Sequence, residues 1–332
     1  LRIEGARYKV SGRIKLFFAP LQAVAKKQKL HKIFLKLGSK LQIYPQKYKP
    51  MHSEKTIQLG FSPCPNDTFI FDALVHGRID TEGYRFEPIL ADVEQLNQMA
   101  AKAALPMTKL SYHAYYHVQD RYILLNSGSA LGRGCGPLLI GAKPWSLAEV
   151  AQADSIWIPG ERTTANFLLH FAFPKLRAKI EPHLFSEIEQ AVLEAKAALG
   201  LIIHENRFTY AQKGLHKVLD LGEYWEQETG YAIPLGGIAI RRDLPIEEQQ
   251  TLQRLMQRSV AYAFAHPQAS RDYVCAHAQE MDPAVQAQHI ALYVNEHTQD
   301  LGTEGRAAVQ YMMQHLQKWK QLWQEDWPLF VD

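Results

Sequence analysis

The chain is poor in the residues that mark several protein classes. Its 332 residues include three cysteines, Cys64, Cys135 and Cys275, and no Cys-x-x-Cys pair. That excludes a zinc ribbon and a disulfide framework, and a sparse, odd set suits a reducing compartment. No run of 18 apolar residues occurs, so no membrane-spanning helix is expected. No repeat at a period of 20–50 residues is present, which excludes solenoids and propellers. Acid is nearly missing from the first fifty residues, which hold 13 of the 37 Lys and Arg against Glu4 alone, a net +12. Residues 51–332 carry a net −9. A mildly acidic main body argues against a nucleic-acid surface.

Methionine is absent before Met51. Three readings of residues 1–50 compete. A basic tail could bind nucleic acid or anionic lipid. A secretory signal could use Arg13 and Lys15 ahead of Leu16-Phe17-Phe18-Ala19-Pro20-Leu21, with Ala23-Val24-Ala25 as the cleavage triplet. That apolar run is short and interrupted by Pro20 and Gln22, which makes it a poor signal. The third reading, favoured here, takes Met51 as the native start. Residues 1–50 are then a basic N-terminal extension, non-native or disordered, and are set apart from the functional core.

What remains is 47% hydrophobic and 21% charged over the whole chain, as expected for a globular protein of about two domains. Thr56–Phe61 alternates like a strand, and Ser62-Pro63-Cys64-Pro65-Asn66-Asp67-Thr68 follows. Its prolines impose an extended turn, Asn66 or Asp67 is a candidate N-cap, and the helix is expected over Thr68–Gly77. Such a strand–loop–helix start can bind an anion or be an ordinary turn. Pro106–Ser111 reads as a short strand with Lys109 and Ser111 at its polar end, where a carboxylate could meet an ammonium and a hydroxyl.

His113 and His117 have the i, i+4 spacing of a zinc pair, but the intervening Glu and a third ligand are missing, so no metal site is expected. The Gly-rich Leu131–Pro137 fits neither the dinucleotide fingerprint nor a P-loop; its glycines are expected to allow a tight backbone beside a cleft. Ser155–Gly160 is a further strand and turn. Thr163 and Thr164 then stand at a helix N-terminus, able either to cap it or to hold an anionic ligand.

The stretch with most chemical promise is Leu199–Tyr210. A short apolar run, Gly200–Ile203, ends at His204. It reads as a buried parallel strand, and ligands of open α/β sheets bind beyond the carboxyl ends of such strands. His204 could be a base there or a structural histidine bonded to backbone. Ile233–Ile240 is expected to be a long return strand, and the rest helical. Strand–helix units, a second block of them, a return strand and terminal helices describe two α/β lobes with a ligand cleft.

Several motifs carry a resemblance. Leu59–Phe69, Thr108-Lys109-Leu110-Ser111-Tyr112, Leu131-Gly132-Arg133-Gly134, Pro159–Ala165, Gly200–Tyr210, Pro234-Leu235-Gly236-Gly237 and Ser259–Ala263 together resemble the 1,4-dihydroxy-6-naphthoate synthases of the futalosine route to menaquinone. The likeness is collinear from Met51 onward, and residues 1–50 have no counterpart in it. It implies a two-lobed, periplasmic-binding-protein-like type II fold. Lobe 1 would comprise 51–140 plus 238–332, and lobe 2 141–237.

It also implies a carbon–carbon lyase of the cytoplasm, with no metal and no nucleotide cofactor. The reaction would convert cyclic dehypoxanthine futalosine to 1,4-dihydroxy-6-naphthoate by base-initiated elimination of the sugar-derived portion. By position His204 would be the base. Lys109, Leu110 (through its backbone) and Ser111 would line one substrate edge, and Thr163 and Thr164 the other. Asn66, Arg133 and Arg207 are weaker candidates. The partner would be a small-molecule carboxylate, with no nucleic acid and no membrane insertion. The rival reading is a non-catalytic solute-binding protein of the same fold, which would need export and no histidine at the strand end.

Overall fold

The computed structural model describes residues 2–3, 6–7, 55–279, 282–320 and 327–332. Residues 1–54 form one unit and 55–332 another. In the first, Arg2–Ile3 pairs antiparallel with Ala6–Arg7. Otherwise the basic N-terminal extension, including the candidate signal, lies outside the described residues.

The second unit carries two sheets. The larger has the strand order Tyr84–Leu90, Lys55–Phe61, Met107–Ser111, Ile233–Arg241, Tyr122–Leu124, with Ala130–Gly132 also paired to Ile233–Arg241. Lys55–Phe61 runs parallel to both of its neighbours. Ile233–Arg241 runs antiparallel to Met107–Ser111, placing Gly236 opposite Ser111 and Ile238 opposite Lys109. The smaller sheet has the order Lys179–Pro182, Ser155–Ile158, Leu199–Ile202, Leu138–Gly141, His216–Asp220. Leu199–Ile202 is parallel to Ser155–Ile158, as expected, and antiparallel to Leu138–Gly141. The expected lobe borders at 140/141 and 237/238 fall inside Leu138–Gly141 and Ile233–Arg241, whose whole lengths belong to the smaller and larger sheet respectively.

The central strands are apolar on both faces because helices cover both. Ile57, Leu59 and Phe61 pack with Phe69 and Phe71 of the helix Pro65–Val75 and with Leu252, Met256 and Val260 of Ile246–Ala265. Ile140, Ile188, Val192 and Ile202 form a smaller core under the second sheet. A third cluster reaches across both sheets, from Leu110 and Tyr112 to Ile156, Phe167 and Trp225. The helix Gly302–Lys320 joins it through Val309, Met312 and Leu316, with the Trp319 ring 5.8 Å from that of Phe167. Each fully buried large side chain stabilises the fold by roughly 1.5–3 kcal/mol, so this shared apolar layer resists separation of the two sheets.

The element borders show where local signals were outweighed. The first helix begins at Pro65 with Cys64 as its N-cap residue, not at Thr68. Proline is well suited to the first helical position because its missing N–H would have no partner there. Asp67 is thereby drawn into the first turn, facing the site. In the C-terminal stretch expected to be helical, the helix Pro283–Tyr293 ends and a short helical turn, Glu296–Gln299, starts afresh from an Asn295 capping box.

Candidate active site

Four strands from the two sheets end at one cavity. Beyond Lys55–Phe61 lies Ser62, Met107–Ser111 ends on Ser111, the turn after Ser155–Ile158 leads to Thr163 and Thr164, and beyond Leu199–Ile202 come Ile203 and His204. All these residues line a cavity of about 90 Å³, together with Asn66, Asp67, Lys109, Gly236, His289 and Tyr293 among others. The carboxyl ends of open-sheet strands are where α/β folds bind ligands.

On the larger-sheet side the polar groups form a connected chain. The Asp67 carboxylate accepts from Ser62 N (3.1 Å), Ser62 Oγ (2.7 Å) and Asn66 Nδ2 (2.9 Å), and it ion-pairs with the Lys109 ammonium. Lys109 is 6% exposed, so a lone charge there would be costly and Asp67 neutralises it. An ammonium has three donors, so Lys109 keeps hydrogen-bonding capacity for a ligand. Asn66 presents its oxygen to His289 Nε2 at 2.9 Å, and His289 Nδ1 lies 3.6 Å from Glu205 Oε2. Ser111 is gripped by Asn97, which accepts from its N (2.9 Å) and donates to its Oγ (3.1 Å). The Leu110 side chain lies in the hydrophobic core and does not line the cavity.

On the smaller-sheet side, Thr163 is the N-cap of the helix Thr164–Ala172. Its hydroxyl donates to Gly160 O (2.8 Å) and accepts from Asn166 N (3.3 Å). The Thr164 hydroxyl donates to Leu235 O at 2.7 Å. Both hydroxyls are therefore engaged with the protein. The first backbone N–H groups of a helix lack intrahelical acceptors, and those of Thr164 and Ala165 stand at the cavity wall as donors for an anion. The two sides also touch: Glu94 Oε2 accepts from Arg162 N at 3.2 Å. Gly160 makes this approach possible. Its φ is 152°, and a Cβ there would lie 2.4 Å from Glu94 Oε2.

His204 sits on a backbone kink, φ 58°, between Leu199–Ile202 and the short helix Asn206–Thr209. Its Nδ1 is 3.5 Å from Cys64 Sγ, its ring meets Phe185 edge-on at 5.0 Å, and it stacks over His289 at 6.3 Å. Burial holds its pKa down at about 4; the Asp67 carboxylate opposes this and the Lys109 charge adds to it. The imidazole is thus neutral at neutral pH and carries a free lone pair. Burial, and then the nearby Glu205, push the Cys64 thiol well above its usual range, so it stays protonated. His289 is held well below its usual value by burial first, then by His204 and Lys109.

Of the weaker candidates, Asn66 lines the cavity while Arg133 and Arg207 do not. Arg207 pairs with Asp220 at 3.1 Å and with the Gly136 carbonyl, and Arg133 bonds Gly230 O at the surface. The Gly-rich segment does run tight: a Cβ on Gly136 would come within 2.3 Å of Gly222 backbone, and Cys135 and Pro137 line the cavity. The His113 ring meets that of His117 at 5.4 Å and turns its Nδ1 to the Thr163 carbonyl oxygen at 3.1 Å. In the sequence Asp67 reads only as a candidate helix cap, and nothing singles out Cys64 or His289. A buried Asp two residues past a Pro-x-Pro turn is a weak signal, and a lone His on a helix is none.

A cavity of convergent polar groups between two mixed α/β sheets defines the periplasmic-binding-protein-like class. A Candida albicans protein described as having the generic periplasmic binding protein structural fold superposes with TM-score 0.57 at 10% identity, covering 82% of this chain and 92% of that one. A crystal structure from Archaeoglobus fulgidus is nearer, with TM-score 0.75 and 33% identity over 82% of this chain and all of that one. Residues 57–318 match the family described as menaquinone biosynthesis. A Thermus thermophilus 1,4-dihydroxy-6-naphthoate synthase is 48% identical over 255 residues, 77% of this chain and 92% of that protein. A Streptomyces coelicolor protein of the same name is 45% identical over 269 residues, 79% of this chain and 93% of that protein. The chain belongs to the menaquinone biosynthesis family.

Proposed function

We propose that this protein is a 1,4-dihydroxy-6-naphthoate synthase, a carbon–carbon lyase acting in the cytoplasm on cyclic dehypoxanthine futalosine. The observation that carries the reading is the neutral His204 imidazole opening into the same cavity as Lys109, Ser111, Thr163 and Thr164. His204 removes a substrate proton through Nε2. Its Nδ1–H then points at the Cys64 sulfur, a weak acceptor, which selects the tautomer with the lone pair on Nε2. As electrons shift and the sugar-derived portion leaves, negative charge grows on the bicyclic product. The Lys109 ammonium, the Ser111 hydroxyl and the first amides of Thr164–Ala172 hold that charge and the carboxylate.

The two sheets act as lobes in this reading, the larger carrying Lys109 and Ser111 and the smaller Thr163, Thr164 and His204. The cavity of about 90 Å³ is smaller than the ~150 Å³ that accommodates benzene. A substrate with a fused ring and a sugar-derived part therefore requires the lobes to part at the Glu94–Arg162 contact and close again, sheltering the anion from water. The test is to incubate purified protein with cyclic dehypoxanthine futalosine and assay dihydroxynaphthoate. Wild-type protein that makes none sinks the synthase reading. His204→Ala at near wild-type rate refutes the assigned base alone.

A further inference from the structure

The environment of His204 contains more than a base needs. One carboxylate oxygen of Glu205, Cys64 Sγ and a ring nitrogen of His204 lie within 4.8 Å of one another. Cys64 and Glu205 are 4% and 5% exposed. Tetrahedral zinc, with bonds of ~2.3 Å to sulfur and ~2.0–2.1 Å to nitrogen, sets those two atoms ~3.5 Å apart. The Cys64 Sγ to His204 Nδ1 separation is 3.5 Å. A thiolate and a carboxylate also match a dication in charge, with a neutral imidazole as third ligand. The left-handed kink at His204 lets two consecutive residues, His204 and Glu205, approach one thiol. A second cavity, about 250 Å³, is lined by Cys64 and His204 along with Asp92, Phe185 and Gln279, and gives an ion a way in and room for a water as fourth ligand.

We propose that Cys64, His204 and Glu205 form a binding site for a thiophilic divalent cation of the zinc class, and that its occupancy switches the imidazole off as a base. On binding, the metal–sulfur bond replaces the S–H bond and the thiol proton leaves to solvent. The cation takes the Nδ1 lone pair, so the ring proton moves to Nε2, the atom that must accept from substrate. Binding stands on the geometry alone; the switching rests on the synthase reading.

Cobalt(II) titration of the chelator-treated full chain reads the site directly. One equivalent should bring up a thiolate-to-cobalt charge-transfer band with tetrahedral d–d intensity. Cys64→Ser should abolish the band, and Glu205→Gln should keep it while weakening binding about tenfold or more. A band that survives Cys64→Ser, or an octahedral spectrum in the wild type, overturns the proposal. X-ray absorption on the zinc-loaded wild type needs no variant: one sulfur at ~2.3 Å with nitrogen and oxygen at ~2.0–2.1 Å is expected. No sulfur, or two, rejects the site. Stoichiometric zinc should arrest turnover and a chelator restore it. Tightly bound zinc with full turnover refutes the switch, whereas metal-free protein without turnover counts against the synthase reading and leaves the spectra to judge the site.

Discussion

The Lys109 ammonium rests against the Asp67 carboxylate, with both side chains buried, Lys109 on the strand Met107–Ser111 and Asp67 in the first turn of the helix Pro65–Val75. Removing one member leaves the other charged and without its counter-ion. Such half-broken buried pairs typically cost ~3–5 kcal/mol. Asp67→Asn is therefore expected to lower unfolding free energy by about that amount. Urea titrations of Asp67→Asn, Lys109→Met and the double variant check this. The double variant should recover much of the loss, and additive losses would count against the pairing.

Replacing His204 by Asn should lower kcat by ~10²–10⁴-fold, the usual contribution of a positioned base. The wild-type pH profile should be equally informative. With its pKa held at about 4 by burial, His204 stays deprotonated as the pH falls from 7 to 5, so kcat/KM should hold and then fall only near 4. An ordinary histidine would lose activity near 6.5. Stability has its own sign. The unfolded chain takes up a proton below 6.5 that the folded chain refuses, so His204 makes the fold less stable as pH falls from 6.5 to 4, with no further loss from this group below that. A pH-rate profile and melting curves over that range measure the two effects separately.

Gly160→Ala should damage function more than a surface substitution would. The added methyl meets the Glu94 carboxylate at 2.4 Å and the residue keeps a φ of 152° that alanine disfavours. The contact between the sheets is expected to open, seen as a KM raised about tenfold or more with a smaller change in kcat. Combining it with Glu94→Ala should relieve the collision and leave the backbone strain, so recovery should be partial.

Thr163 and Thr164 should separate in experiment. Thr163→Ala removes a helix cap and should cost about 1 kcal/mol of stability, with Thr163→Ser restoring it. Thr164→Val deletes the donor to Leu235 O and leaves the cap intact. If ligand is held by the helix amides, Thr163→Ser should preserve KM; a large rise in KM for that variant would assign the substrate contact to the methyl-bearing side chain instead.

Much of this was legible in the sequence because strands and helices follow periodicity: Lys109 and Ser111 belong to a short strand, Thr163 and Thr164 stand at a helix start, and His204 follows an apolar run. The two-sheet architecture follows from the order of those elements. What the sequence hid depends on tertiary pairing. Asp67 looks like a cap until the chain brings Lys109 beside it. His289 lies 223 positions from its partner Asn66, and no local pattern encodes that meeting. Thr163 and Thr164 were readable as cap or ligand, and only the hydrogen bonds to Gly160 and Leu235 show how their hydroxyls are spent. The short helix at Glu296–Gln299 escaped because Val294-Asn295 interrupts an otherwise helical composition by its capping chemistry alone.

The position of Ile233–Arg241 has a consequence for synthesis on the ribosome. It lies between Met107–Ser111 and Tyr122–Leu124 in the larger sheet, yet more than a hundred residues separate it from both. The smaller sheet needs nothing beyond Asp220 and can assemble as soon as that residue emerges. The larger one must wait with an open edge beside Lys109 and Ser111 until the late strand arrives. Exposed strand edges invite pairing with other chains, so the nascent protein is most vulnerable to aggregation in that interval, and codon pace or chaperone capture between 125 and 241 should govern its yield.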